Sequence, residues 1–417
     1  MQNNSEKVVS SFVDIAEKLF RLAVIERWND HPRPFNITEL DKQAHKAMVA
    51  FLFARIEEEE GGKKIDWSGL IDGLIFEALQ RSVLTDLKPR LLHNLLKTRK
   101  KELLNYIYNQ FEDTLKAIDK TLFERFKLYF EDPEYLKLEK RIIEAAHFIP
   151  TYWEFQFIYP VAKAMYRIEQ LKKDIEDSLE EFHTLLGVQR FLLKKKLYGF
   201  INLCGQLRFQ KRWSSVVIVP RLSVMGHLFV VATFSYFLMR YVWWWEDIKL
   251  SPKAFYATFF TALFHDLAEI ITRDIISSLK NILGREEIRR IEVEGLEKEV
   301  ISLLPRYIAE HLRCFLGLGS ELSVDEFTNR ICEGVEIKTF SPEDTKFLVE
   351  KQGLPVWGQL VKFADYLSAY TEASHSIGHG TSNKELIKAV KNTREKLLNH
   401  PIGKIIPFTE KLLEELR

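Results

Sequence analysis

One apolar stretch, residues 259–280, places the strongest constraint on the fold of this chain. Its hydrophobic residues recur at helical spacing, which predicts a continuous core helix. Within this stretch lie His265, Asp266 and Glu269, which a helix would place on roughly one side. Burying such groups costs desolvation energy, so the helix needs a metal ion or polar partners to compensate them. A core histidine capped by its neighbour is the alternative interpretation of an isolated His-Asp pair.

The composition is typical of a soluble globular protein with a sizeable core. Hydrophobic residues make up 46% of the chain and charged residues 29%. A length of 417 residues allows two or three domains. The formal net charge is +1, so the charge balance of the whole chain predicts neither a nucleic-acid coat nor an acidic partner.

The cysteines and the terminal segment predict a cytoplasmic protein. Cys204, Cys314 and Cys332 lie far apart without a CxxC pair, which predicts neither a disulfide framework nor a zinc ribbon. The N-terminal segment reads as an amphipathic helix and lacks the apolar core of a signal peptide. The most membrane-like run, residues 228–239, is too short to span a bilayer. We therefore expect no membrane segment.

Helical patterns dominate the chain and predict an all-α fold. There are 18 glycines and 13 prolines, and alternation typical of strands is rare. We divide the chain into a first helical unit (residues 1–125), a helical linker region (126–205) and a second unit (206–417) that carries the His-Asp pair. The linker region opens at a Glu-Asp-Pro break.

The first unit repeats features of the second unit, which predicts a tandem arrangement. The predicted matches are Arg27 with Arg212, Trp28 with Trp213, His45 with His227, Phe76 with Phe264, Asp86 with Asp274, and Asp119 with Asp365. On this register Glu77 and Ala78 replace the His-Asp pair, so the first copy is degenerate and cannot build the same metal site. Two unrelated helical regions with a similar apolar rhythm are the alternative.

Four polar residues of the second unit lie among apolar residues on predicted helices. They are His227, His265, Asp266 and Asp365. Two imidazoles and two carboxylates suit one divalent transition metal ion, such as Mn, Co, Fe, Ni or Zn. A bound divalent ion lowers the pKa of its water toward neutrality and so creates a nucleophile.

Motifs around these residues follow a fixed order. An Arg-Trp pair precedes His227, the pattern HDxxExxTxD begins at His265, Lys280 follows it, and KxADxLxAY spans residues 362–370. Together they resemble the HD-domain metal-dependent phosphohydrolases, and more closely their YfbR-like 5'-deoxynucleotidase branch. The resemblance covers residues 206–375, less than half of the chain.

The resemblance implies an HD-domain helical bundle and a role for each motif residue. The metal ligands would be His227, His265, Asp266 and Asp365, the catalytic residues Glu269 and Asp274, and the substrate-binding residues Arg212, Trp213 and Lys280. Glu269 would act as the acid/base near the leaving group. The Arg and Lys side chains would bind phosphate, and Trp213 would pack against the sugar.

The substrate-facing residues depart from the family pattern. Gly226 stands where the family often has a glutamate, and Arg221 and Arg273 add cations near the site. We count Arg273 among the substrate-binding residues. These cations favour a more highly phosphorylated substrate or a nucleic-acid end.

The function that these residues predict is metal-dependent hydrolysis of (deoxy)nucleoside 5'-phosphates. One alternative is phosphodiester cleavage of a nucleic acid or a cyclic nucleotide, although a nucleic-acid partner is not favoured. Another is a nucleotide-sensing protein that keeps a structural metal. Because small members of the family form dimers, the resemblance implies a homodimer, or a pseudo-dimer in which the first copy takes the second subunit's part.

Overall fold

The computed structural model describes residues 2–84, 91, 94–95, 98–273, 282, 284–320, 322–381 and 383–417. Within them the chain is mostly helical, which confirms the all-α prediction. The helices of the first half are α1 (Gln2–Val24), α2 (Glu39–Glu59), α3 (Trp67–Leu84), α4 (Lys100–Ile118), α5 (Leu122–Glu131), α6 (Lys137–Ala162), α7 (Ile168–Glu180), α8 (Leu186–Leu192) and α9 (Lys196–Gln206). The helices of the second half are α10 (Val224–Trp245), α11 (Pro252–Phe264), α12 (Glu269–Thr272), α13 (Arg285–Gly295), α14 (Arg306–Leu316), α15 (Gly358–Gly378), α16 (Lys384–Asn399), α17 (Pro401–Ile405) and α18 (Thr409–Glu415).

Two apolar helices, α10 and α11, form the centre of the second half. Ser223 caps α10 by accepting from the N–H of Gly226, and Ser251 caps α11 by accepting from the N–H of Ala254. Helix α10 packs against α11, α15 and α2. Among the described residues, Val224–Trp245 and Pro252–Thr272 are long and apolar enough to cross a membrane, but their most apolar windows are 100% and 72% buried. Burial in the protein core accounts for their apolar character.

A small antiparallel sheet follows α14 and is not foreseen by the helical patterns. Its central strand β1 (Arg330–Glu333) pairs with β2 (Glu336–Thr339) on one side and with β3 (Leu354–Val356) on the other. A disulfide joins Cys314 at the end of α14 to Cys332 in β1. The expectation that the cysteines stay unpaired is therefore wrong, because the fold brings two distant residues together. The pairing also removes the cysteine-based argument for a reducing compartment.

The hydrophobic core extends through both halves of the chain. One cluster of buried apolar side chains runs from Val8 in α1 to Leu413 in α18. It includes residues of both units and of the region between them. The boundaries at residues 125 and 205 stay a prediction.

The segment before α2 has the same backbone pattern as the segment before α10. An isolated antiparallel bridge closes each segment, ending at Thr38 in the first and at Ser223 in the second. Each of these residues caps the helix that follows. Trp28 and Trp213 both have a left-handed backbone, with φ of 57° and 55°. The Arg-Trp motif therefore forms the same local structure twice.

The two caps set a register that differs from the predicted one. Counted from Thr38 and Ser223, the counterpart of His227 is Lys42. His45 lies nearly one turn later, where its Nε2 is 3.0 Å from the carbonyl of Ile201. The predicted match paired His45 with His227 because it compared residue types and not distances from the helix caps.

Candidate metal centre

The predicted continuous helix over residues 259–280 is interrupted at the His-Asp pair. Helix α11 ends at Phe264, residues 265–268 form a turn, and the short α12 begins at Glu269. The imidazole Nδ1 of His265 lies 2.8 Å from the carbonyl of Ala262. In a continuing helix that carbonyl would instead accept from the backbone N–H of Asp266. The pair is therefore presented at the end of a helix. Asp274 and Lys280 lie outside the described residues.

Three elements bring the four predicted metal ligands together. His227 comes from α10, His265 and Asp266 from the end of α11, and Asp365 from α15. Nε2 of His227 lies 3.3 Å from Oδ1 of Asp365 and 3.8 Å from Oδ2 of Asp266. Nε2 of His265 lies 3.3 Å from the same Asp266 oxygen. Ligands bound to one ion at about 2.0–2.2 Å have similar separations, so His227, His265 and Asp266, whose ligand atoms all lie within 4.8 Å of one another, fit a single metal ion. Asp365 joins this group through its contact with His227.

The two imidazoles direct their Nε2 atoms toward the centre of this set. Nδ1 of His265 faces a backbone carbonyl, and Nδ1 of His227 lies 3.3 Å from Oε1 of Glu372. Because carbonyl and carboxylate oxygens only accept, each Nδ1 carries a proton, and Nε2 is the atom that each ring can offer to a metal ion. Both Nε2 atoms are buried without a hydrogen-bond partner among the described residues. A metal ion would satisfy both atoms.

The carboxylates of the site are held in their ionised form. Burial opposes ionisation of Asp266 and Asp365, but the His265 imidazole beside Asp266 and the Lys362 ammonium beside Asp365 lower the pKa of each carboxyl. Burial likewise opposes a charged His265, yet the Asp266 carboxylate raises the pKa of that imidazole to about 9. A metal ion that binds Nε2 therefore displaces a proton at neutral pH.

Lys362 orients the second oxygen of Asp365. Its Nζ lies 3.3 Å from Oδ2 of Asp365, while Oδ1 faces His227. The ammonium also lies 3.8 Å from the centre of the Phe327 ring and 4.7 Å from that of Tyr366. These contacts place the lysine of the KxAD pattern at the edge of the site.

Glu372 is a site residue that the sequence motifs did not identify. It is almost fully buried on α15, and it lies between His227 and the Arg-Trp pair. Oε2 of Glu372 accepts from Nε1 of Trp213 at 2.9 Å and from Nε of Arg212 at 3.4 Å. Burial would raise the pKa of Glu372, but Arg212 lowers it to about 2. The signal in the sequence is its position two helical turns after Asp365, on the same face of α15.

The structure places Arg212 and Trp213 next to the predicted ligands. The guanidinium of Arg212 contacts Glu372, and its Nη1 lies 4.0 Å from Oδ2 of Asp266. The Trp213 ring packs against a small apolar cluster that contains Ile218 and Leu386. Both side chains therefore orient Glu372, and their roles in substrate binding stay predictions.

Glu269 and Arg273 lie at the two ends of α12. Glu269 is partly buried, and its backbone carbonyl accepts from Nε2 of Gln210 at 2.9 Å. Burial would lower the pKa of Arg212, but Glu372 and the other site carboxylates, Glu269 among them, raise it. Arg273 is exposed and has a left-handed backbone, with φ of 61°. Its side chain thus lies at the surface beside the site.

Gly226 is explained by contact between the two halves of the protein. A Cβ atom there would lie 3.1 Å from Oδ1 of Asp41 and 3.2 Å from Cδ2 of Leu40, both at the start of α2. The Asp41 carboxylate accepts from the hydroxyl of Ser223. A glutamate next to His227 would require the side chains of Asp41 and Leu40 to move by a few tenths of an ångström.

Comparison with known proteins agrees with this geometry. Residues 204–393 match a protein-family model described as an HD domain. This part of the chain is similar to an HD domain. The match includes all four predicted metal ligands and Glu372, and it supports an HD-domain metal-dependent phosphohydrolase. No curated protein matches the chain significantly.

The contacts of Glu372 in this part of the chain lead to a prediction about metal affinity. We expect Glu372→Gln to weaken binding of Mn²⁺ or Co²⁺ about 10- to 100-fold, because the neutral amide supports the basicity of His227 less well. Isothermal titration calorimetry with the metal ion measures this change in affinity. Ser368→Ala is the matched control, since its hydroxyl lies 3.1 Å from the same Nδ1 atom but carries no charge. Unchanged affinity with reduced stability would mean that Glu372 only supports the fold.

Proposed function

We propose that the HD domain hydrolyses the phosphomonoester of (deoxy)nucleoside 5'-phosphates with the help of one divalent transition metal ion. The observation that carries this proposal is the convergence of two unpartnered Nε2 atoms and two carboxylates beside the Arg212 guanidinium. A dianionic phosphate is the group that such a combination of metal ligands and a partly buried cation would recognise.

Each residue then has a chemical task. His227, His265, Asp266 and Asp365 would hold the ion, which when bound supplies a nucleophilic water near neutral pH. Glu372 keeps His227 in the tautomer that binds metal. Glu269 would transfer a proton to the leaving oxygen, and Arg212 would neutralise phosphate charge as the bond to the sugar breaks.

The test is release of phosphate from a panel of nucleoside mono-, di- and triphosphates with added Mn²⁺, Co²⁺ or Mg²⁺. Single-stranded DNA, single-stranded RNA and a cyclic nucleotide belong in the same panel. We expect release from the monophosphates, loss of that release when a chelator removes the metal, and recovery when the metal is returned.

Other outcomes of the panel distinguish the alternatives. Cleavage of the nucleic acids or the cyclic nucleotide, without release from monophosphates, would replace the proposal with a phosphodiesterase. Metal binding without turnover on any substrate would indicate a nucleotide-sensing protein with a structural metal. In both cases the monophosphatase proposal fails.

A further inference from the structure

A cluster of buried and partly buried charges lies between α2, α3 and α6, and the proposed hydrolysis does not use it. Most of its members come from the first unit, and the others come from the linker region and from Arg208 at the start of the second unit. It consists of the cations Arg27, Lys42, Lys46, Arg81 and Arg208, the carboxylates Glu39, Glu77 and Glu154, and His147. We call it the first-unit cluster. Taking so many charges out of water is costly unless each is well compensated.

The cluster and the candidate metal centre share one pattern of hydrogen bonds, in which a buried glutamate accepts from an Arg-Trp pair. Glu154 of α6 accepts from both side chains of the Arg-Trp pair before α2, Nε1 of Trp28 at 2.8 Å and Nε of Arg27 at 3.0 Å. Glu372 of α15 accepts the same two bonds from the pair before α10, at 2.9 and 3.4 Å. Glu372 also contacts His227, a predicted metal ligand. Glu154 instead contacts Arg208, at 2.8 Å.

In this register Lys42 and His147 take the places of His227 and Asp365. His147 precedes the carboxylate of α6 by the same interval at which Asp365 precedes the carboxylate of α15. Nζ of Lys42 lies 2.7 Å from Nε2 of His147, as Nε2 of His227 lies 3.3 Å from Oδ1 of Asp365. Asp119, the predicted counterpart of Asp365, instead caps the turn after α4. Asp86 lies outside the described residues.

An ammonium group in place of an imidazole reverses the sign of the ion that the site prefers to bind. Lysine offers three donors and a positive charge, so it repels a metal ion and attracts an anion. The first-unit cluster has five cations against three carboxylates, and cations still outnumber carboxylates when Glu144, at the exposed edge near Glu77, is included. The HD-domain site has the opposite balance and attracts a cation.

Among the described residues, no carboxylate contacts Lys42 directly. Arg27 and Arg81 pair with Glu39, and Lys46 pairs with Glu77. Lys42 contacts the imidazole of His147 instead. Burial, together with the nearby Arg27 charge, lowers the pKa of Lys42 well below its usual value. A bound anion would supply the missing charge.

The edge of the cluster is as open as the candidate metal centre. The side chains of Arg81 and Glu77 are 17% and 24% exposed, compared with 18% and 22% for Asp365 and Asp266. We propose that the first-unit cluster binds a phosphate group without hydrolysing it, through Lys42 and Arg81. This inference is independent of the hydrolysis proposed for the HD domain.

The test measures binding in the full chain with the metal site disabled. Equilibrium dialysis of inorganic phosphate and of a deoxynucleoside monophosphate is carried out on Asp266→Ala after treatment with a chelator. We expect saturable binding, weakened about 10- to 100-fold by adding Lys42→Met, because one hydrogen bond between charged groups is lost. Lys101→Met, at an exposed position of α4, is the matched control and should bind as the parent does.

A second variant protects the test against misfolding. Arg81→Gln changes a partly exposed side chain and should also weaken binding. Equal affinity for the two ligands would show that the phosphate group suffices, and tighter binding of the nucleotide would identify a phosphate monoester as the ligand. Absence of saturable binding at millimolar concentration would overturn the proposal, as would unchanged affinity in folded Lys42→Met and Arg81→Gln.

Discussion

We expect Asp266→Ala to abolish metal binding and to lower phosphate release about a thousandfold or more. The Asp266 carboxylate lies 3.3 Å from Nε2 of His265 and 3.8 Å from Nε2 of His227. Its removal therefore deletes the ligand that contacts both imidazoles. A metal ion contributes several kcal/mol to stabilisation of the transition state, and about 1.4 kcal/mol corresponds to a factor of ten in rate. Metal content measured by atomic absorption and kcat/KM for the best substrate test this prediction.

The control for Asp266→Ala is Asp113→Ala, an exposed carboxylate on α4. It should keep both the metal and the activity. Unfolding followed by circular dichroism shows whether Asp266→Ala remains folded, which separates a catalytic ion from a structural one. Full turnover in a folded Asp266→Ala variant would show that hydrolysis does not depend on this centre.

Glu269→Gln should lower kcat about 100- to 10,000-fold while leaving metal binding unchanged. The amide keeps the size of the side chain but cannot transfer a proton, and general acid–base catalysis contributes an effect of this magnitude. Glu269 lies at the start of α12, where its charge helps to raise the pKa of Arg212, and it does not belong to the predicted ligand set. Single-turnover kinetics with the metal-loaded variant measure the loss.

Glu286→Gln, on the exposed surface of α13, is the matched control and should have normal kinetics. Because Glu269→Gln should retain the metal, a lower kcat in this variant would report a loss of proton transfer and not a loss of metal. Loss of metal in this variant would instead identify Glu269 as a ligand. Normal turnover with bound metal would remove it from the mechanism.

The similarity of residues 204–393 to an HD domain could be predicted from the sequence because it depends on residue types in a fixed order. His227, the His-Asp pair and Asp365 each interrupt an apolar helical pattern, so burial and function could be inferred together. The helical fold could be predicted for the same reason, since apolar spacing reflects which face of a helix is buried.

Other properties depend on contacts between distant residues, which local patterns do not encode. The turn at His265, the buried position of Glu372 and the disulfide between Cys314 and Cys332 arise only when the helices pack. In the sequence, only its position two helical turns after Asp365 distinguishes Glu372 from a surface glutamate.

The sequence by itself therefore determined the class of fold, the four predicted metal ligands and the general type of chemistry. Only the tertiary structure decided which atoms of those residues face one another and that Lys42, instead of His45, lies at the same distance from its helix cap as His227 does. The physical reason is that a helix cap and a buried carboxylate set the register, and both act through hydrogen bonds whose partners are far apart in the chain.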